Sequence, residues 1–143
     1  MDNLNNTTLN ITEIFYSLQG EAKEVGIPTV FVRLTGCPLR CNYCDTAYAF
    51  KGNNPLSIES IMEQVAKYNT HYVCVTGGEP MAQRNCLILL DTLIEAGYKV
   101  SMETSGSIDI SPVNKKVSVV MDLKTPSSTE QSQNRYENIA LLE

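Results

Sequence analysis

Strand-like runs alternate with helical patterns along most of this sequence. Runs rich in β-branched and apolar residues, typical of strands, occur at 29–34, 71–76, 99–103 and 117–123. One helical segment follows Ser57 as its N-cap, and a second extends from about Ala82 to Ala96 and ends at Gly97. This alternation predicts an α/β domain with a parallel sheet and right-handed crossovers.

Polar or glycine-rich clusters follow each of these strand-like runs. They lie at 36–46, 77–80, 104–106 and 124–126. Taken alone, Gly77-Gly78 or the segment 103–106 is equally typical of a turn. Because the carboxyl ends of parallel strands share one edge of a sheet, the sequence predicts that all four clusters line one site.

Three cysteines in the first cluster have the spacing C-x3-C-x2-C, namely Cys37, Cys41 and Cys44. This spacing indicates an iron–sulfur cluster, and three thiolates instead of the usual four leave one iron open for a reactant. A zinc site completed by His71, Cys74 or Cys86 is the alternative, although the sequence lacks the pair of C-x2-C or H-x3-H motifs that is typical of structural zinc sites. Five cysteines without a secretory signal argue against disulfides, and we expect Cys74 and Cys86 to serve packing.

Composition narrows the class of protein. With 143 residues, 43% hydrophobic and 19% charged, the chain is expected to form one ordinary globular domain. No apolar run approaches the length of a membrane span. A formal net charge of −5 argues against a non-specific electrostatic grip on nucleic acid, so a small-molecule substrate is expected.

Arg33 is the one charge within the otherwise apolar strand 29–34. A buried guanidinium needs a partner that compensates its charge. Either a ligand carboxylate or an internal acid is expected to meet it.

The motifs resemble those of the radical S-adenosylmethionine (SAM) enzymes. The resemblance rests on the three cysteines, on Tyr43 before the last of them and on the segment Gly77–Pro80. It implies a [4Fe–4S] cluster whose open iron binds SAM, and a radical SAM core shaped as a partial TIM-like barrel of parallel strands.

A narrower resemblance is to the 7-carboxy-7-deazaguanine synthase family. It rests on four segments, 14–21, 26–28, 31–37 and 44–46. The first contains the sequence S-L-Q-G-E, and the last is C-D-T. The resemblance implies conversion of 6-carboxy-5,6,7,8-tetrahydropterin to 7-carboxy-7-deazaguanine with loss of ammonia, on the route to queuosine and other 7-deazapurines. It also implies a Mg²⁺ ion held by Thr46.

The same resemblance assigns roles to individual residues. The pterin would contact Leu18, Gln19, Gly20, Arg33 and Thr76. SAM would contact Tyr43, Cys44, Asp45, Gly78, Glu103, Ser105, Asp122, Leu123 and Lys124. Family members carry Ser-Pro-Lys or a related tripeptide where this chain has Asp122-Leu123-Lys124. No side chain is assigned as a catalytic acid or base, since the radical arises at the cluster and SAM.

The resemblance further implies a homodimer, a reducing partner such as flavodoxin or ferredoxin, and a cytoplasmic location. We expect residues 1–10 to form a loose leader and residues 11–143 to form the radical SAM core, incomplete at its C-terminal end. An amphipathic helix is expected to begin at Asn134.

Two alternatives stay open. An activase that installs a glycyl radical on a partner protein would use the same cysteine spacing without a pterin. A non-catalytic iron–sulfur fragment would bind iron and leave SAM intact.

Overall fold

The computed structural model describes residues 4–36 and 54–142, which form a six-stranded mixed sheet with two α-helices. The strands are β1 (Thr8–Leu18), β2 (Pro28–Leu34), β3 (Pro55–Ser57), β4 (Tyr72–Gly77), β5 (Lys99–Thr104) and β6 (Ser118–Met121). Their order in the sheet is β3-β1-β2-β4-β5-β6. Strands β2, β4, β5 and β6 are parallel, whereas β1 is antiparallel to both of its neighbours.

The predicted parallel sheet is confirmed for β2, β4, β5 and β6, and β1 and β3 add antiparallel strands at one side of it. The connection between β1 and β2 comprises only residues 19–27, which suits an antiparallel return. A parallel pair needs a crossover of about a dozen residues or more. The part of the sheet that continues from β2 to β6 keeps the expected parallel arrangement.

Strand β1 also begins earlier than the predicted end of a loose leader. Residues 8–10 pair with β3, and Leu9 is only 1% exposed. Burial of this side chain in the core draws the segment into the sheet, so the expectation of a loose leader is wrong for residues 8–10.

Both predicted helices are present, with one difference at the start of the second. Helix α1 (Ile58–Ala66) begins after Ser57, whose Oγ accepts the Ser60 amide at 3.0 Å. Helix α2 (Cys86–Glu95) starts later than expected, because a 3-10 helix at Pro80–Ala82 precedes it. Gly97 ends α2 with φ +92°, as predicted.

Within the described part of the chain, neither helix has the length and apolar character of a membrane span.

The two faces of the sheet differ in chemistry. Val30, Val32 and Val75 belong to the core into which α1 and α2 also place their buried side chains. The alternate residues of β2 pair across the strands as Phe31 with Cys74 and Arg33 with Thr76, so they share the opposite face. We call this opposite face the polar face.

The C-terminal segment differs from the predicted amphipathic helix. Residues Tyr136–Leu141 form a 3-10 helix. The buried side chain of Asn138 donates to the carbonyl oxygens of Gly106 (3.0 Å) and Ile108 (2.8 Å) and accepts the Ile110 amide (3.2 Å). These bonds tie the segment to the loop after β5, about thirty residues earlier in the chain.

Candidate functional site

The carboxyl ends of β2, β4, β5 and β6 meet at one edge of the sheet, as the sequence predicted. Gly78 donates its amide to the carbonyl oxygen of Leu34 (3.3 Å), and Glu79 donates its amide to that of Gly36 (2.7 Å). Asp122, just after β6, donates its amide to the carbonyl oxygen of Thr104 at the end of β5 (2.9 Å). The loops that follow the parallel strands are thus held together by backbone hydrogen bonds.

The cysteine segment leaves and re-enters the described chain at this edge. Gly36 directly precedes Cys37, and on the far side Asn54 accepts the Ile11 amide (3.1 Å) next to the pairing of Ile11 with Leu34. The predicted cluster ligands Cys37, Cys41 and Cys44, together with Tyr43, Asp45 and Thr46, lie outside the described residues. The two residues that flank the segment nevertheless fix where it begins and ends.

Arg33 lies on the polar face near the carboxyl end of β2. Its Nε donates to Glu13 Oε1 at 2.9 Å across the antiparallel pair. Its guanidinium carbon is 5.9 Å from the ring centroid of Phe15, and that ring stacks on Phe31 at 5.1 Å. Glu13 is therefore an internal acid of the kind that the sequence required, and its side chain is 40% exposed.

Thr76 and Glu103 adjoin Arg33 on the same face. Thr76 donates its hydroxyl to Glu103 Oε2 at 2.9 Å. Burial raises the pKa of Glu103, and the neighbouring Glu21 carboxyl raises it further, while the bond from Thr76 and the charge of Arg33 oppose the rise. Glu103 was predicted to contact SAM, yet it lies beside Arg33 and Thr76, which were predicted to contact the pterin.

The S-L-Q-G-E segment ends β1 at the opposite edge of the sheet. Gln19 is 5% exposed, and its Oε1 accepts the amides of Gly20 (2.9 Å) and Glu21 (3.2 Å). This turn brings Glu21 toward Glu103 on the polar face. Leu18, in contrast, has the alternation of the helix-covered face and is 63% exposed, so the polar face gains Gln19 and Glu21 but not Leu18.

The loop after β4 is built for close backbone approach. Gly77 has φ +150°, and a Cβ there would lie 2.4 Å from the carbonyl oxygen of Leu34. Only glycine fits such a contact. Gly78, the residue predicted to approach SAM through its backbone, follows directly and is half-buried.

The loops after β5 and β6 carry the remaining predicted SAM contacts. The hydroxyl of Ser105 donates to Glu79 Oε1 at 2.8 Å and is therefore already engaged inside the protein. Lys124 forms an ion pair with Asp122, and Leu123 is exposed. Asn134 holds the backbone of Lys124 in place, since its side chain accepts the Lys124 amide and donates to the Lys124 carbonyl oxygen, both at 2.8 Å.

Several residues of this region were not singled out by the sequence. Glu13 and Glu21 complete the polar groups around Arg33 and Glu103, and Glu21 was present in the S-L-Q-G-E motif as a signal. Cys74, expected to serve packing, is indeed fully buried, but it lies on the polar face. Burial raises the pKa of its thiol to about 12, with hydrogen bonds to Ser101 and Gln19 opposing the rise. In residues 4–36 and 54–142, His, Cys, Asp and Glu form no group of three or more that could hold a metal ion.

The parallel strands β2, β4, β5 and β6, whose following loops meet at one edge, agree with the radical SAM core that the sequence motifs predict. The sequence pattern of the Radical SAM superfamily matches residues 21–128. The chain belongs to that superfamily.

Within it, the chain is similar to 7-carboxy-7-deazaguanine synthases. It is 42% identical over 135 residues to the synthase of Methanospirillum hungatei JF-1 and 43% identical over 136 residues to that of Koribacter versatilis, in each case across 94% of this chain. The chain spans 56% and 60% of the lengths of these two relatives. The crystal structure of QueE from Escherichia coli matches with a TM-score of 0.74 at 25% identity, covering 93% of this chain and 75% of that chain.

Proposed function

We propose that this chain carries the catalytic core of a 7-carboxy-7-deazaguanine synthase, which converts 6-carboxy-5,6,7,8-tetrahydropterin to 7-carboxy-7-deazaguanine with loss of ammonia. The observation that carries the proposal is the hydrogen bond from the Glu79 amide to the carbonyl oxygen of Gly36. It joins the Gly77–Pro80 loop to the residue that precedes the cysteine segment. The sequence similarity to the synthases selects this reaction among those of the superfamily.

The cofactors of the proposed enzyme would be held at the carboxyl edge. Cys37, Cys41 and Cys44 would bind a [4Fe–4S] cluster, and the reduced cluster with SAM would supply a 5′-deoxyadenosyl radical that removes a hydrogen atom from the substrate. Half-buried Gly78, and Asp122 and Lys124 beyond β6, lie at the same edge, which supports the proposal that they contact SAM. Tyr43, Asp45 and Leu123 are assigned to SAM by the resemblance alone.

The substrate would lie on the polar face. Its carboxylate is the natural partner for Arg33, whose guanidinium is oriented by Glu13 and by the ring of Phe15. Thr76 and Glu103 offer a hydroxyl and a carboxyl beside it, and the Thr76 hydroxyl donates to Glu103 Oε2 at 2.9 Å. We therefore place Glu103 with the substrate rather than with SAM.

Further parts of the proposal rest on the resemblance. They are a Mg²⁺ ion on Thr46 that would bind the substrate carboxylate, a homodimer, a flavodoxin- or ferredoxin-type electron donor, and a cytoplasmic location. Substrate contacts by Leu18, Gln19 and Gly20 belong here too, and the buried position of Gln19 beside Cys74 on the polar face supports its part of the proposal.

The test is anaerobic reconstitution with iron and sulfide, followed by dithionite, SAM and Mg²⁺, with and without 6-carboxytetrahydropterin. Methionine, 5′-deoxyadenosine and 7-carboxy-7-deazaguanine are quantified by mass spectrometry. Pterin-dependent formation of deazaguanine is expected. Cys41→Ala is expected to abolish cluster assembly, whereas Arg33→Ala is expected to keep the cluster and lose pterin turnover.

Other outcomes would contradict the proposal. Cleavage of SAM that ignores the pterin and yields no deazaguanine would favour a glycyl-radical activase or another substrate. A reconstituted cluster that leaves SAM intact would mark an inactive iron–sulfur protein.

A further inference from the structure

Glu79 is a completely buried glutamate that is not among the residues assigned to SAM or to the substrate. Its side chain is 0% exposed. It accepts hydrogen bonds from the hydroxyl of Thr104 (2.8 and 3.0 Å), the hydroxyl and amide of Ser105 (2.8 Å each) and the amide of Met81 (2.8 Å). A buried carboxylate this well satisfied is held in one position.

The carboxylate of Glu79 cannot be replaced by the side-chain amide of a glutamine without loss of a hydrogen bond. Oε1 accepts the backbone amide of Ser105, and Oε2 accepts the backbone amide of Met81. A glutamine would have to turn its NH₂ group toward one of these backbone N–H groups, and two donors cannot bond to each other. Hydroxyl groups could rotate to accept from the NH₂ group, but a backbone amide cannot. The site therefore requires a carboxylate, not merely a polar side chain of this size.

The bonds of Glu79 join three loops at the carboxyl edge. Its side chain ties the loop after β4 to the loop after β5, and its amide ties the same loop to Gly36, the residue before Cys37. Gly78, which immediately precedes Glu79, takes its position from both attachments and from its own bond to Leu34.

We propose that Glu79 is a positioning residue, which fixes the backbone of Gly78 for contact with the methionine part of SAM, and that Ser105 acts on SAM through Glu79 and not directly. The inference rests on membership of the radical SAM superfamily and, within the proposed function, concerns only the SAM half of the site. It revises the direct SAM contact that the resemblance assigned to Ser105, because that hydroxyl is already bound to Glu79.

The test uses the whole chain as wild type, Glu79→Gln, Ser105→Ala and the double variant, with Glu63→Gln on the exposed side of α1 as the matched control. In the cluster-free proteins, amide hydrogen exchange is measured at Met81 and Ser105. In the reconstituted proteins, iron content, the dissociation constant for SAM and the SAM-induced change in the electron paramagnetic resonance spectrum of the reduced cluster are measured without pterin.

We expect Glu79→Gln to accelerate exchange at one of the two amides and to weaken SAM binding about tenfold at unchanged iron content, about 1.4 kcal/mol. We expect Ser105→Ala to weaken it less, and the double variant to match Glu79→Gln. If the double variant weakens SAM binding by the product of the two single-variant factors, Ser105 contacts SAM directly and the inference is overturned. Unchanged SAM affinity in Glu79→Gln would reduce Glu79 to a purely structural role and would also overturn it. A wild-type chain that assembles the cluster but binds no SAM would overturn the proposed function along with it.

Discussion

Arg33 Nε lies 2.9 Å from Glu13 Oε1, across two strands that run in opposite directions. The pairing orients Arg33 on the polar face, and among the strands of the described residues no other position is an arginine. A guanidinium is planar and carries several N–H donors in a fixed arrangement, so the orientation of Arg33 suits recognition of a carboxylate.

Replacement of this arginine should harm substrate binding specifically. We expect Arg33→Ala to raise KM for 6-carboxytetrahydropterin by about 30- to 150-fold, the equivalent of about 2–3 kcal/mol for a lost charge-assisted bond. Steady-state kinetics on the reconstituted protein, with iron content measured in parallel, checks this. Arg84→Ala, at an exposed position, is the matched control and should leave KM unchanged. A similar rise in both variants would contradict a dedicated carboxylate site at Arg33.

Glu103 should make stability depend on pH. Because its pKa is raised above the ordinary value of 4.5, the folded chain holds this proton more tightly than the unfolded chain. That stabilisation is fully present below about pH 4.5 and is lost as the pH rises through the folded pKa. Glu103→Gln cannot ionise, so we expect it to be more stable than wild type at neutral pH, with a difference that shrinks toward pH 4.

Urea denaturation of the cluster-free chain at several pH values measures that difference. Glu63→Gln, an exposed glutamate of α1, serves as the control. A Glu103→Gln variant that is less stable than wild type at pH 7 would show that its carboxylate is stabilised in the folded chain.

Gly77 should be the least replaceable glycine among those described. Gly77→Ala would place a Cβ 2.4 Å from the carbonyl oxygen of Leu34 at a φ of +150°, so we expect a loss of about 2–4 kcal/mol in the free energy of unfolding. Gly20→Ala meets nothing within 4 Å and should change that free energy little. Chemical denaturation of both variants decides the matter, and equal stabilities would refute the close contact.

Asn138 should stabilise the loop after β5 from a distance of about thirty residues in sequence. Asn138→Ala leaves the carbonyl oxygens of Gly106 and Ile108 and the amide of Ile110 without their partner. We expect a loss of about 2–3 kcal/mol. Gln133→Ala, exposed in the neighbouring 3-10 helix, is the control for thermal unfolding. If both variants melt together, the C-terminal segment does not brace that loop.

The two described cysteines should be unreactive in the folded protein. Burial raises the pKa of both Cys74 and Cys86 to about 12, so their thiols stay protonated near neutral pH. We expect iodoacetamide to modify neither residue until guanidinium is added, as read by peptide mass spectrometry. Rapid native modification at Cys74 would mean that the polar face opens to solvent around Gln19.

The sequence predicted those features of the fold that depend on residues close together in the chain. Ser57 marks the start of α1 and Gly97 the end of α2, because an N-cap and a residue with positive φ act on the few residues next to them. The direction of β1 and the partner of Arg33 depend instead on which strands pair, and the sequence left that partner open between a ligand and an acid. The bonds of Asn138 likewise span loops far apart in sequence, so the helical pattern after Asn134 could not reveal them.

The same limit applied to the candidate site. Glu79 was read as part of a glycine-rich turn, although its side chain binds groups about 25 residues further along the chain. The cysteine spacing and the S-L-Q-G-E motif were informative because their members are contiguous.

Gly36 and Asn54, the two residues that flank the cysteine segment, are both anchored by backbone hydrogen bonds, Gly36 to Glu79 in the loop after β4 and Asn54 to Ile11 of β1. The two ends of that segment are therefore held in place by contacts within the described part of the chain. Closing a loop of this length costs on the order of 2–3 kcal/mol of chain entropy beyond a constant term, and the folded sheet meets that cost in advance. We therefore expect iron and sulfide to reach a cysteine segment whose two ends are already anchored, and we expect removal of the metal to leave the backbone hydrogen bonds of Gly36 and Asn54 intact.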